Sequence, residues 1–99
     1  MPAGRPPAGC REVDIQQVLV HTIHETLLRT PDGLTREKTR FVAQPRISTG
    51  AGDHFNGASC FALLAGLSDR DRVHFAGVFA STYVSKGSTP TLDEVLDAL

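Results

Sequence analysis

The sequence predicts an α/β fold in which a few short strands come first and two to three helices follow. Three observations carry this expectation. Aliphatic and β-branched runs of strand length stand early in the chain, at Val18-Leu19-Val20 and Thr26-Leu27-Leu28. A turn signature, Thr30-Pro31-Asp32-Gly33, follows them, because Pro presets φ and Asp-Gly suits the positive-φ positions of a tight hairpin. From residue 51 onward the apolar residues switch to the 3.6-residue period of a helix.

The elements follow in chain order. The first nine residues hold three of the six prolines and two of the nine glycines, so residues 1–12 read as a flexible lead-in and residues 13–99 as the folded part. The run at Val18 suits a buried parallel strand. The hairpin is expected to join a strand over residues 26–29 to another around Arg40 to Ala43. After Pro45 comes a loop of small residues, Ser48-Thr49-Gly50-Ala51-Gly52-Asp53. A helix from about Ala51 to Ala65 is expected next, its inner face built from Phe55, Ala58, Ser59, Ala62, Leu63 and Gly66, with Gly66 suited to its end. Ser68 is a natural N-cap for a second helix, with Asp71 three residues on, and Val73, Ala76, Phe79, Ala80, Tyr83 and Val84 form its buried face. Gly87 and Pro90 break that helix. Thr91-Leu92-Asp93-Glu94 is a capping box for a short last helix carrying Val95, Leu96 and Leu99. There are no internal repeats. The strands are too few to make a sheet covered by helices on both faces, which suggests a piece of a larger α/β domain.

Composition narrows the function classes. Ninety-nine residues allow one small domain, and 40% hydrophobic with 21% charged residues at a net charge of -1 is ordinary globular material. No basic patch offers phosphate contacts, so no nucleic-acid partner is expected. No apolar run approaches the roughly 20 residues of a membrane span, and no apolar segment follows Arg5 as a secretory signal requires. The expected compartment is cytoplasmic. Cys10 and Cys60 lack CxxC partners, so they are expected as reduced thiols, Cys60 in the core, with no metal site.

The chemistry concentrates in the loop before the first helix. Gly50, Ala51 and Gly52 present backbone N–H groups at a helix start with little side-chain obstruction, and the helix dipole adds positive character there, which suits an anion. Asp53 in the first turn would repel a phosphate beside it, yet it is placed well to accept a proton from an attacking hydroxyl. On the residues alone, a tight turn followed by a favourable first-turn acid stays open as the alternative. A dinucleotide fingerprint fails because Phe55 stands where its third glycine belongs, and the P-loop-like spacing from Gly52 to Ser59 has Ala58 in place of the lysine. His54 reads as a partly exposed first-turn residue. His21 and His24 fall on opposite faces of a strand, His74 among helix residues at the surface or the edge of the core, and Arg36, Lys38 and Arg40 on a solvated strand edge. Phe55, Phe75 and Phe79 read as core.

The stretch Ser48 to Gly57, STGAGDHFNG, resembles the C-terminal signature of the ribokinase-like (PfkB) carbohydrate kinases: a Thr-rich step, Gly-Ala-Gly-Asp, one variable residue, then Phe. The order of strand, hairpin, signature and helices agrees from about Val13 onward. The resemblance implies the C-terminal, nucleotide-side part of a three-layer kinase fold. It implies ATP and Mg2+ as cofactors and phosphoryl transfer to a hydroxyl of a sugar or sugar-like molecule. It makes Asp53 the catalytic base, the amides of Gly50, Ala51 and Gly52 the anion hole, and Thr49, Gly50, Gly52 and Asn56 the nucleotide-binding residues. Ile47 stands where members often carry Asp near a cation site, so the resemblance does not extend to monovalent-cation activation. Ile23-His24-Glu25-Thr26 replaces a Gly-x-x-Gly-like turn near the nucleotide. Full members are much longer, and the sugar-reading residues lie in the portion this chain lacks. The isolated chain is therefore expected to be inactive, with exposed sheet edges open to homo-oligomerisation. The second reading is a non-catalytic nucleotide-binding, phosphate-binding or interaction remnant of such a kinase.

Overall fold

The structure, a computed structural model, describes residues 16–22, 24–40 and 42–99. The lead-in expected over residues 1–12, with Cys10, lies outside the described residues. Strands β1 (Val18–His21), β2 (Glu25–Thr30) and β3 (Gly33–Lys38) come first, and helices α1 (Ala51–Leu64), α2 (Asp69–Lys86) and α3 (Leu92–Ala98) follow.

The strands form one antiparallel sheet in the order β1-β2-β3. The register places Leu19, Leu28 and Thr35 on one face and Val20, Leu27 and Arg36 on the other. Leu28 is wholly buried and Leu19 packs against the core, whereas Val20 is exposed. The first strand is thus an antiparallel edge strand with one wet face, in place of the expected buried parallel strand. The hairpin also differs from expectation. Thr30 pairs directly with Gly33, so Pro31 and Asp32 alone make the loop and the return strand starts at once, not around Arg40 to Ala43. Its polar sequence hides it: as the other sheet edge, β3 needs only Thr35 and Glu37 turned partly inward. Arg36 and Lys38 are exposed there as expected, and Arg40 lies just past the strand. The turn is tied to α2, because the Thr30 hydroxyl accepts from the Asp32 N–H at 3.2 Å and donates to Asp69 Oδ2 at 2.8 Å.

The helices run close to their expected bounds. α1 ends in a Schellman motif, with the Leu67 N–H donating to Ala62 C=O at 3.0 Å and the Gly66 N–H to Leu63 C=O at 3.1 Å. Ser68 caps α2 by accepting from the Asp71 N–H. Thr91 and Glu94 cap each other's backbone at the start of α3, and Glu94 also pairs with Lys86 at 2.7 Å. α1 and α2 run antiparallel, since His54 stacks on Tyr83 near one end of the pair and Phe61 meets Phe75 near the other. α2 in turn lies against β2 and β3.

The core gathers Phe55, Ala58 and Ala62 of α1, Phe75, Ala76, Val78 and Ala80 of α2, and Val95 of α3. Burial departs from expectation at several residues. Leu63 and Gly66 are exposed, because the Schellman turn carries the chain away from α2 and hands the apolar contact to Leu67. Phe79 and Val84 are half-buried, flanking grooves. Leu96 and Leu99 are each half exposed, since the seven residues of α3 turn Val95 and, in part, Ala98 inward. Cys60 is exposed, one position past the buried Ser59 stripe. Arg72 is 2% exposed and its Nε has no hydrogen-bond partner among the described residues, a burial its charge gave no reason to expect.

Candidate functional site

The small-residue loop ends at the N-terminus of α1, where Gly50 is the N-cap with φ 90° and ψ -2°. Left-handed backbone there is what the expected glycine supplies at no steric cost. No side chain caps the helix. The N–H groups of Gly50, Gly52 and Asp53 have no acceptor among the described residues, while the Ala51 N–H donates to Ser48 C=O at 3.2 Å. Three unclaimed donors thus lie together at the positive end of a 14-residue helix. Asp53 and Asn56 are exposed one turn apart on this helix, and Thr49 is exposed just before it. The loop therefore brings all the expected site residues, from Thr49 to Asn56, to one corner of the molecule.

That corner is anchored by α2. The Tyr83 hydroxyl donates to Thr49 C=O at 2.6 Å. The N–H groups of Arg46 and Ile47 both donate to Val84 C=O, at 2.9 and 3.3 Å. The His54 ring stacks on Tyr83 with centroids 3.7 Å apart, and its Nδ1 lies 2.8 Å from Gly50 C=O. A carbonyl only accepts, so Nδ1 carries the proton; in the neutral ring Nε2 then accepts from the Thr89 hydroxyl at 2.8 Å. The sequence placed Tyr83 in the core and His54 at the surface, and neither residue type nor spacing signalled that the two would join on the loop.

Two hollows adjoin the loop. A groove of about 500 Å³ runs between the sheet and α2, its lining including His21, Thr26, Arg40, Ser48, Ala51 and Ser81. This volume lies in the range of small-molecule and cofactor sites. His21, exposed as a whole, stacks on Phe55 with centroids 4.1 Å apart, and the partial desolvation of its ring holds its imidazole below the ordinary histidine range. A second depression of about 260 Å³ is lined by Asp53, His54, Gly57, Ala58 and Phe79. His21 lies in β1 and His24 outside it, and His74 is half-buried with Nδ1 3.1 Å from Glu37 Oε2. Among the described residues no three His, Cys, Asp or Glu side chains converge as a metal site would require, and no helix is long and apolar enough to cross a membrane.

Comparison with known proteins bears on this corner. No curated protein matches the chain. Among solved structures, a nucleoside kinase of Burkholderia thailandensis in complex with inosine matches with a TM-score of 0.71 and 19% sequence identity. The match covers 82% of this chain and 28% of the kinase chain, so this chain spans less than a third of that relative. The ribokinase-like fold expected from the Gly-Ala-Gly-Asp signature is the fold observed, as a three-stranded, three-helix part of it. The family model described as prokaryotic ketohexokinase matches residues 5–99. With that match running through nearly the whole sequence, the chain belongs to the prokaryotic ketohexokinase family of PfkB-like sugar kinases.

Proposed function

We propose that the chain carries the phosphoryl-transfer corner of an ATP-dependent kinase acting on a hydroxyl of a sugar or sugar-like small molecule. The observation that supports this most is the uncapped start of α1, where unclaimed amides and the exposed Asp53 carboxylate share one helical turn beside a groove of about 500 Å³. Amides fixed in that way suit the charge on a phosphoryl group in transfer, and a carboxylate next to them suits the proton of the attacking hydroxyl. The anion hole is Gly50, Ala51 and Gly52, with most of the donation from the two glycines because the Ala51 N–H already has Ser48 C=O. The groove is of a size and lining that fit a nucleotide, whose phosphates reach the loop past Ser48 and Ala51, and Thr49 and Asn56 flank them. Mg2+ would accompany ATP and neutralise phosphate charge, and it would draw little on the chain's own side chains here, since Asp53 is the one carboxylate lining the depression at the loop. The setting is the cytoplasm, where ATP is at hand, and the edges of β1 and β3, which no other strand among the described residues covers, are the surfaces through which copies would pair.

A second reading is a non-catalytic nucleotide- or phosphate-binding module, for which the unclaimed amides at the start of α1 would suffice without Asp53 as a base. One experiment addresses both. Mg-ATP binding is measured by calorimetry, and transfer from γ-labelled ATP to a panel of sugars and nucleosides is assayed with the chain alone and joined to the N-terminal portion of a family member. Asp53→Asn in the active form is expected to lower turnover about 10²-fold or more, with the nucleotide Kd nearly unchanged. Binding without transfer in any form selects the second reading, and equal turnover of the Asn variant removes Asp53 from the base role.

A further inference from the structure

The proposed anion hole depends on which way the peptide between Thr49 and Gly50 faces, and Gly50 itself does little to fix it. Glycine at φ 90° has no side chain to restrict rotation, and no side chain caps the helix there. In a trans peptide the C=O and N–H point to opposite sides of the chain, so fixing the carbonyl aims the amide. The Tyr83 hydroxyl fixes that carbonyl, donating to it at 2.6 Å from the last turn of α2. The next carbonyl, that of Gly50, accepts from both the His54 N–H at 3.0 Å and the His54 Nδ1–H at 2.8 Å. Tyr83 is buried and stacked on the same imidazole, whose far side is held by the Thr89 hydroxyl. Two side chains from different helices thus converge on consecutive carbonyls of the loop.

We propose that Tyr83, braced by His54, is a positioning residue that aims the Gly50 N–H out of the loop, away from α2 and toward the transferred phosphoryl group. The role of the target group rests on the phosphoryl-transfer reading above; the aiming of the amide does not. Donors fixed before the reaction cost no reorganisation when charge develops, which is where such an anchor acts. On the loop itself Tyr83 and His54 bond only the carbonyls of Thr49 and Gly50, so their effect passes through the backbone at Gly50.

The test uses the chain itself, 15N-labelled, as wild type, Tyr83→Phe and Thr89→Ala. Tyr83→Phe keeps the ring and its stack and deletes only the hydroxyl. The expected result is a cooperative melt together with a shifted or broadened Gly50 amide signal and a His54 amide, bonded to Gly50 C=O, whose solvent exchange rises about fivefold or more, while the Ala62 and Val78 amides stay as they were. A nucleotide titration with Mg-ATP is expected to show a Kd weakened about 3- to 10-fold, the worth of one hydrogen bond. Thr89→Ala frees the His54 ring from outside the core and is expected to give a smaller change at the same Gly50 signal; it carries the test should the Phe variant not fold. An unchanged Gly50 amide in a folded Tyr83→Phe variant overturns the proposal. A perturbed Gly50 amide in a chain whose wild type does not bind Mg-ATP, either alone or joined to the N-terminal portion of a family member, upholds the positioning and removes the phosphoryl-transfer reading.

Discussion

Gly50 and Gly52 stand two positions apart at the start of α1, and physical chemistry gives them opposite tolerance of a side chain. A Cβ at Gly50 would lie 2.9 Å from the Tyr83 hydroxyl oxygen and 3.6 Å from Cζ, on a residue at φ 90°. Alanine there costs about 1–2 kcal/mol for left-handed backbone and roughly another 1 kcal/mol for the displaced hydroxyl bond. At Gly52 an added Cβ meets nothing within 4 Å, on helical backbone. Alanine there is expected to be neutral or to stabilise by about 0.5–1 kcal/mol through the lower entropy of the unfolded chain. Urea unfolding followed by circular dichroism separates the two, with Gly50→Ala falling by about 2–4 kcal/mol relative to Gly52→Ala. Equal midpoints would show that the loop relaxes freely around Gly50 and that Tyr83 does not hold it.

At the scale of elements, the helices were set by signals their own sequence contains. Gly66 closes α1 in a Schellman turn, Ser68 opens α2 two residues later, and the Thr91–Glu94 box opens α3. α3 shows how much such a signal carries: seven residues long, with Val95 its one buried residue, it depends on its cap. Thr91→Ala is expected to cost about 1 kcal/mol, read as a several-fold faster amide exchange confined to α3, with the global urea midpoint nearly unmoved. A matching fall in global stability would mean that α3 unfolds only with the whole domain. The strands were less legible for a physical reason. β1 and β3 are both edges, so their burial is decided by what pairs beside them and not by their own residues. Leu34 followed by Thr35, Arg36, Glu37 and Lys38 gives no alternation to read, and the apolar run of β1 looks two-sided although one face is wet. The site divides in the same manner. Thr49 to Asn56 is contiguous and was legible as a motif, while the Tyr83 and His54 anchor and the burial of Arg72 depend on how α1 and α2 meet.

Over the whole molecule, two groups with displaced ionisation among the described residues each join two elements, so they make fold stability depend on pH. His21 joins β1 to α1 through its stack on Phe55, with Nδ1 2.9 Å from Thr26 Oγ1, and its burial lowers its pKa. The unfolded chain then takes up this proton more readily than the folded one. The stability from the neutral ring is complete above the unfolded value of about 6.5, declines as pH falls below it, and levels off once the folded value is passed. Glu94 joins α3 to the end of α2 through hydrogen bonds from Lys86 and the Thr91 N–H, and these hold its carboxyl below the ordinary range. Its contribution is present above the unfolded carboxylate value and is lost as pH falls through the lowered one. Both act in the same direction, one beginning near neutrality and the other in acid, so the melting temperature is expected to fall in two stages from pH 7 to pH 3. His21→Phe keeps a ring against Phe55 but cannot titrate, and melts of this variant should lose the upper stage and keep the lower. If the fall just below pH 6.5 persists at full size in His21→Phe, the proton is taken up elsewhere and the β1–α1 stack does not link folding to pH.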